Sequence, residues 1–143
     1  MRYLVLLLAL MACDQKSMVS DIGSQRIVLH ATDDANNSTP VAVDLVLTSH
    51  PQVAQHLGRM TAKSYFRHKS QLLRDYPGQV LIAGWEMVPN HRVEDAIQHA
   101  PGTSPMAFVF ADYKNGETHR AAWPFKENVT IYLQRHGFVI RPE

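Results

Sequence analysis

Cysteine is almost missing from this 143-residue chain; Cys13 is the only one. No internal disulfide can form, so the fold must be held by its core alone. An excess of one charge is missing too. There are 14 Lys and Arg against 13 Asp and Glu, and removal of residues 1–12 takes away Arg2 and leaves 13 against 13. No basic patch stands out, which argues against nucleic acid as a partner. No apolar run reaches the ~20 residues that a membrane-spanning helix needs. Glycine is sparse, Gly78 and Gly84 are isolated, and there is no Gly-rich phosphate loop. Ser38 and Ser104 lack a Gly-x-Ser-x-Gly elbow. The histidines at 30, 50, 56, 68, 91, 99, 119 and 136 form neither His-x-His nor His-Glu-x-x-His. Asp33 and Asp34 are adjacent, and neighbours on an extended backbone point apart, so they suit a turn better than an acid–base pair. Glu86 is either a solvent-face residue or a partner for Arg92. With no nucleophile–base arrangement in view, the expectation is a protein that is not an enzyme and holds no metal or cofactor.

What is present begins at the N-terminus. Met1-Arg2 precedes ten apolar residues, Tyr3 to Ala12, which is the length of a secretory signal rather than of a membrane span. Leu10-Met11-Ala12-Cys13 resembles the lipobox of bacterial lipoproteins, in which the cysteine receives a thioether-linked diacylglycerol and a peptidase cuts before it. The resemblance implies a signal peptide at 1–12 and a mature chain that starts at lipidated Cys13, held by its acyl chains at ~0.8 kcal/mol per buried methylene. The alternative is an ordinary secretory signal cut nearby, with Cys13 a free thiol. Residues 13–24 then read as the lipidated cysteine and a polar tether, and residues 25–143 as one domain. Asp14 resembles the enteric signal that retains lipoproteins in the inner membrane, so the final membrane stays open.

Along the domain, Gln25–Ala31 reads as a first strand. Thr32–Thr39 (TDDANNST) is a run of turn formers whose side chains tolerate left-handed backbone. Pro40–Thr48 alternates, with Val41, Val43, Leu45 and Leu47 on one face. An eight-residue loop between these strands suggests an antiparallel pair. Ser49 is placed to cap a short helix that Gly58 ends. Thr61 is placed to cap a longer one to about Tyr76, docking through Ala62, Tyr65, Phe66, Leu72, Leu73 and Tyr76. A strand over 79–88 follows. Polar residues 91–104 have at most one helical turn, near Val93–Ile97. Strands over 106–113 and 118–125 flank Asn115-Gly116, the strongest hairpin signal in the chain. Strands over 128–134 and 138–140 close it. Trp85 and Trp123 read as core residues. The sum is mostly β: about seven strands in an antiparallel β-sandwich of the transthyretin-like two-sheet kind, with a small helical insertion after strand two.

Several of these stretches together resemble TssJ, the lipoprotein of the bacterial type VI secretion membrane complex. Ser38 to Val43 is similar to its Pro-Val-rich second strand, and Ala62 to Phe66 to its helical insertion. Glu86-Met87-Val88-Pro89 is similar to a strand that ends in Pro-Gly, with Asn90 here in place of the Gly. Ala111-Asp112-Tyr113 with Trp123 is similar to its hairpin, and 129–131 with 138–140 to its closing strands. The resemblance implies a non-catalytic, lipid-anchored sandwich on the periplasmic face of the outer membrane. It would bind the periplasmic part of TssM, an inner-membrane protein. In the family the loop between the first two strands carries much of that contact, which implies Asp33, Asp34, Asn36 and Asn37 as partner-binding residues; Asn37 stands where the family usually has Pro. The alternative is a periplasmic lipoprotein that binds a small ligand or acts as pilotin or chaperone for another secretion machine.

Overall fold

The computed structural model describes residues 23–143. Cys13, the signal segment and most of the expected tether lie outside the described residues. Eight strands form two four-stranded sheets. One sheet has the order β4 (Arg92–His99), β1 (Gly23–Ala31), β7 (Val129–Leu133), β8 (Phe138–Pro142). The other has the order β3 (Leu81–Met87), β2 (Val41–Thr48), β5 (Met106–Ala111), β6 (Arg120–Pro124). The molecule is a β-sandwich, as the alternating pattern predicted.

Between the sheets lies one apolar layer. Ile27 and Leu29 of β1 and Ile131 and Leu133 of β7 meet Val43 and Leu45 of β2 and Val109 of β5, all fully buried. Trp85 and Trp123 are partly buried against this layer. The other face of the second sheet is also covered. Val46, Phe108 and Phe110 pack under α2 (Pro51–Leu57) and α3 (Ala62–Asp75) through Val53, Leu57, Tyr65 and Leu72. Each such Leu or Phe contributes ~1.5–3 kcal/mol by leaving water. The helical insertion therefore turns a two-layer sandwich into three layers on one side.

Local chemistry sets the helix boundaries. Pro51 opens α2 and Gly58 follows its end; His50 occupies the N-cap, not Ser49, and no side chain caps there. The Thr61 side chain accepts from the Ser64 N–H at 3.1 Å and starts α3. Ala62, Tyr65 and Leu72 are buried as expected, whereas Leu73 is 44% exposed.

Four expectations give way. β1 and β2 do not pair with each other; they belong to different sheets. Tight hairpins use loops of 2–5 residues, and the longer 32–40 connection has the length to cross the ~10 Å between packed sheets. Secondly, β1 pairs in parallel with β7, Ile27 opposite Val129, because β6 of the other sheet ends on the side of the molecule where β1 begins and β7 starts from there. Thirdly, Arg92–His99 is a strand, antiparallel to β1, with Val93 opposite Leu29 and Ile97 opposite Gln25. Val93 and Ile97 are four apart, a spacing that suits a helix turn and a strand face equally, and the charges between them belong to an exposed edge. Finally, Asn115-Gly116 does not make a two-residue turn. β5 and β6 are joined by residues 112–119, and only Gly116 of that pair has positive φ (72°).

Candidate functional site

The strand directions sort the connections into two ends. β1 runs from Gly23 at one pole to Ala31 at the other, a span of roughly 30 Å for nine residues. The registers place the β1–β2, β3–β4, β5–β6 and β7–β8 connections together at the Ala31 end. The chain thus enters at one pole and presents four loops at the opposite one.

The central loop is built on an unusual turn, α1 (Ala35–Ser38). Asn36, Asn37 and Ser38 have φ of 49°, 53° and 57°. The Ser38 N–H donates to Asp34 O and the Thr39 N–H to Ala35 O, both at 3.2 Å, so this is one turn of left-handed helix. Such backbone costs roughly 1–2 kcal/mol per ordinary residue and less for Asn. Asn36 stabilises it from within. It is 2% exposed. Its Nδ2 donates to Pro40 O at 2.8 Å and its Oδ1 accepts from the Lys114 N–H at 2.9 Å. Its N–H donates to Gln134 O at 3.1 Å, and its carbonyl accepts from Thr39 Oγ1 at 2.6 Å. One residue, through its side chain and its backbone, thereby joins three of the four loops. The fourth comes in through the Asn90 N–H, which donates to Thr32 O at 3.1 Å.

The β5–β6 and β7–β8 loops are bonded to each other as well. Tyr113 donates from its hydroxyl to Gly137 O at 2.6 Å, and Asn115 Nδ2 donates to His136 O at 3.0 Å. Burial pushes the Tyr113 hydroxyl up to about 12. His119 packs against Tyr113 with centroids 4.4 Å apart and the rings tilted by 35°. Its Nε2 bonds Asn115 Oδ1, which assigns the ring proton to Nε2, since that oxygen can only accept. Burial lowers the His119 pKa below its ordinary value, against the opposing charge of Glu117.

The four expected contact residues therefore separate. Asp33 and Asn37 are exposed at the loop tip. Asp34 is half-buried, accepting from Thr32 Oγ1 at 2.7 Å and lying 3.4 Å from Arg135 Nε. Asn36 faces inward and shapes the loop rather than offering itself. Tyr113, Asn115, His119 and Arg135 complete the pole; the only signals they carried in the sequence were the hairpin resemblance of Ala111-Asp112-Tyr113 and the Asn-Gly turn. Arg92 pairs with Glu94 at 3.0 Å rather than with the exposed Glu86. Among the described residues no group of three His, Cys, Asp or Glu is gathered to hold a metal, and no helix is long and apolar enough to cross a membrane. The arrangement is a polar, hydrogen-bonded platform made of four loops.

No protein-family model matches the chain, and no curated protein matches it in sequence. Solved structures do match. Serratia marcescens Lip, a membrane bound component of the type VI secretion system, superposes with a TM-score of 0.66 at 14% identity, over 85% of this chain and 98% of that one. The type VI secretion lipoprotein TssJ1 from Pseudomonas aeruginosa superposes with a TM-score of 0.64 at 17% identity, over 85% and 97%. A chain in the structure of the TssM C-terminal domain from EAEC gives a TM-score of 0.63 at 10% identity, over 84% and 98%. The chain has the β-sandwich fold of the type VI secretion lipoproteins.

Proposed function

We propose that this protein is a lipid-anchored docking protein of a type VI secretion membrane complex. Its Cys13 carries the acyl anchor at the periplasmic face of the outer membrane, the residues after it lead to a sandwich whose first strand begins at Gly23, two residues before the expected boundary at 25, and the loop pole binds the periplasmic domain of a TssM-like inner-membrane protein. The observation that carries the reading is the two-pole layout on this fold: the chain enters at Gly23, and a braced polar loop pole lies at the far end of the strands. An anchor at one pole and a contact surface at the other is what a tether between two membranes requires. A non-catalytic role fits the platform, whose polar groups are used to hold loops together.

The test is capture of the TssM-like periplasmic domain by the purified lipoprotein. Double substitution of the exposed tip residues, Asp33→Ala with Asn37→Gly, is expected to weaken capture at least ~tenfold, the 1.4 kcal/mol of a modest contact pair, with thermal stability unchanged. Unchanged affinity in a folded variant removes the loop tip from the contact. A Cys13→Ser chain that still incorporates labelled fatty acid would overturn the anchor.

A further inference from the structure

Charge on this near-neutral protein is not spread evenly. Between positions 49 and 80, the stretch that forms the helical layer, there are five Lys and Arg (59, 63, 67, 69 and 74) and one acid, Asp75. Lys69 is turned inward, its Nζ 2.6 Å from buried Asp44. Lys63, Arg67 and Arg74 fall at i, i+4 and i+11 of α3, with exposed Ser70 completing the row. At 3.6 residues per turn that row lies opposite the buried face of Ala62, Tyr65 and Leu72. It is a cationic stripe roughly 16 Å long on the crest of the helix. No ion pair engages these three side chains among the described residues; Arg74 donates only to Gln71 Oε1, at 2.7 Å. Phe66, half-buried, and Leu73, 44% exposed, lie along one flank.

The stripe is continuous with the loop pole. Lys63 lines a cleft of about 270 Å³ together with Asp112, Tyr113, Lys114 and Glu117 of the β5–β6 loop. From there α3 runs back toward the opposite pole, where Thr48 Oγ1 donates to Gln79 O at 2.8 Å. A membrane lying against the Gly23 pole would meet only the Arg74 end of the row. A protein seated on the loop pole and reaching down the side would meet all of it.

We infer that the docking surface extends from the loop pole along the crest of α3, and that the partner presents an acidic protein surface there. This rests on the docking role proposed above. Exposed, unpaired charges of one sign raise association rates by steering more than they slow dissociation, so the signature is kinetic and salt-dependent.

The experiment measures association and dissociation of the full lipoprotein with the TssM-like periplasmic domain across a salt series. Three forms are compared: wild type, Lys63→Glu/Arg67→Glu/Arg74→Glu, and the milder Lys63→Gln/Arg67→Gln/Arg74→Gln, each checked for an unchanged melting temperature. At low salt the charge-reversed form is expected to associate about tenfold more slowly and the Gln form less so, with dissociation nearly unaltered and the wild-type salt dependence lost. Association altered by less than about twofold overturns the acidic contact while the docking role stands. Failure of the wild-type protein to bind the domain at all overturns both. Retention of the wild type, but not the charge-reversed form, on phosphatidylglycerol vesicles with no effect on the protein partner would assign the stripe to an anionic membrane and overturn the inference.

Discussion

At Asn36 and Asn37 the same residue type does two separate jobs. Both have left-handed backbone, but only Asn36 is buried with its amide bonded on both sides. Glycine accepts that backbone without strain, so glycine substitutions separate conformation from bonding. Asn37→Gly is expected to change stability by less than ~0.5 kcal/mol or to raise it slightly. Asn36→Gly leaves the Lys114 N–H and Pro40 O without their partner and is expected to cost ~2–3 kcal/mol. Urea denaturation of the two variants checks this, and equal midpoints would dissolve the distinction. His119 adds a pH dependence to the same pole. Burial lowers its pKa below 6.5, so the folded state favours the neutral ring. Above pH 6.5 the ring is neutral folded or unfolded and contributes no slope. As pH falls through 6.5 the unfolded chain takes up the proton first, and stability drops until the folded pKa is passed. His119→Gln is therefore expected to flatten the decline in denaturation midpoint below about pH 6.5; an unchanged slope would show that other groups cause it.

The elements show where reading by pattern works and where it stops. β2 was legible because Val41, Val43, Leu45 and Leu47 alternate, and α3 because its apolar residues recur at helical spacing after a Thr cap. Their contact was not legible, since it depends on a polar residue inside a strand. Asp44 lies on the outer face of β2, 4% exposed, with the Tyr65 hydroxyl donating at 2.8 Å and Lys69 beside it. The carboxylate holds α3 in register over the sheet, and burial pushes the Tyr65 hydroxyl far up from its usual value. Gly84 stands opposite Asp44 on β3, where any Cβ would lie 2.6 Å from the Asp44 Oδ1. Strand glycine at such a close approach has a packing reason. Tyr65→Phe keeps the ring stacked on Phe110, at 4.2 Å between centroids, and removes only the donor. It is expected to cost ~1–3 kcal/mol, because a buried acceptor loses a partner. A loss below ~0.5 kcal/mol in thermal denaturation would mean that Lys69 alone satisfies Asp44. β4 and the β1–β2 crossover were hidden for a different reason. Which sheet a strand joins depends on partners distant in the chain, such as Val129 beside Ile27, and alternation says nothing about partners.

For the whole molecule, the proposed function becomes a question of reach. Nine residues, 14–22, separate Cys13 from Gly23. A fully extended chain spans at most ~3.3–3.6 Å per residue, so the ten steps from Cys13 to Gly23 can carry the Gly23 pole no more than roughly 35 Å from the anchor. The strands add roughly another 30 Å to the loop pole. If Cys13 is lipidated and the loop pole docks the partner, the height of that pole above the membrane is set by the two lengths together. Deletion of residues 16–21 shortens the maximum reach by roughly 20 Å and leaves every strand and loop contact of the sandwich in place. The expected outcome is asymmetric. In solution, the shortened protein binds the TssM-like domain with wild-type affinity. In cells, site-specific crosslinking from Asn37 to that domain falls severalfold while fatty-acid labelling and protein level stay unchanged. Equal crosslinking would show that reach is not limiting, either because the partner approaches the membrane closely or because the docking pole is not the one remote from Gly23. A fall in solution affinity as well would move residues 16–21 into the contact itself, and the anchor-and-pole division of labour would have to be redrawn.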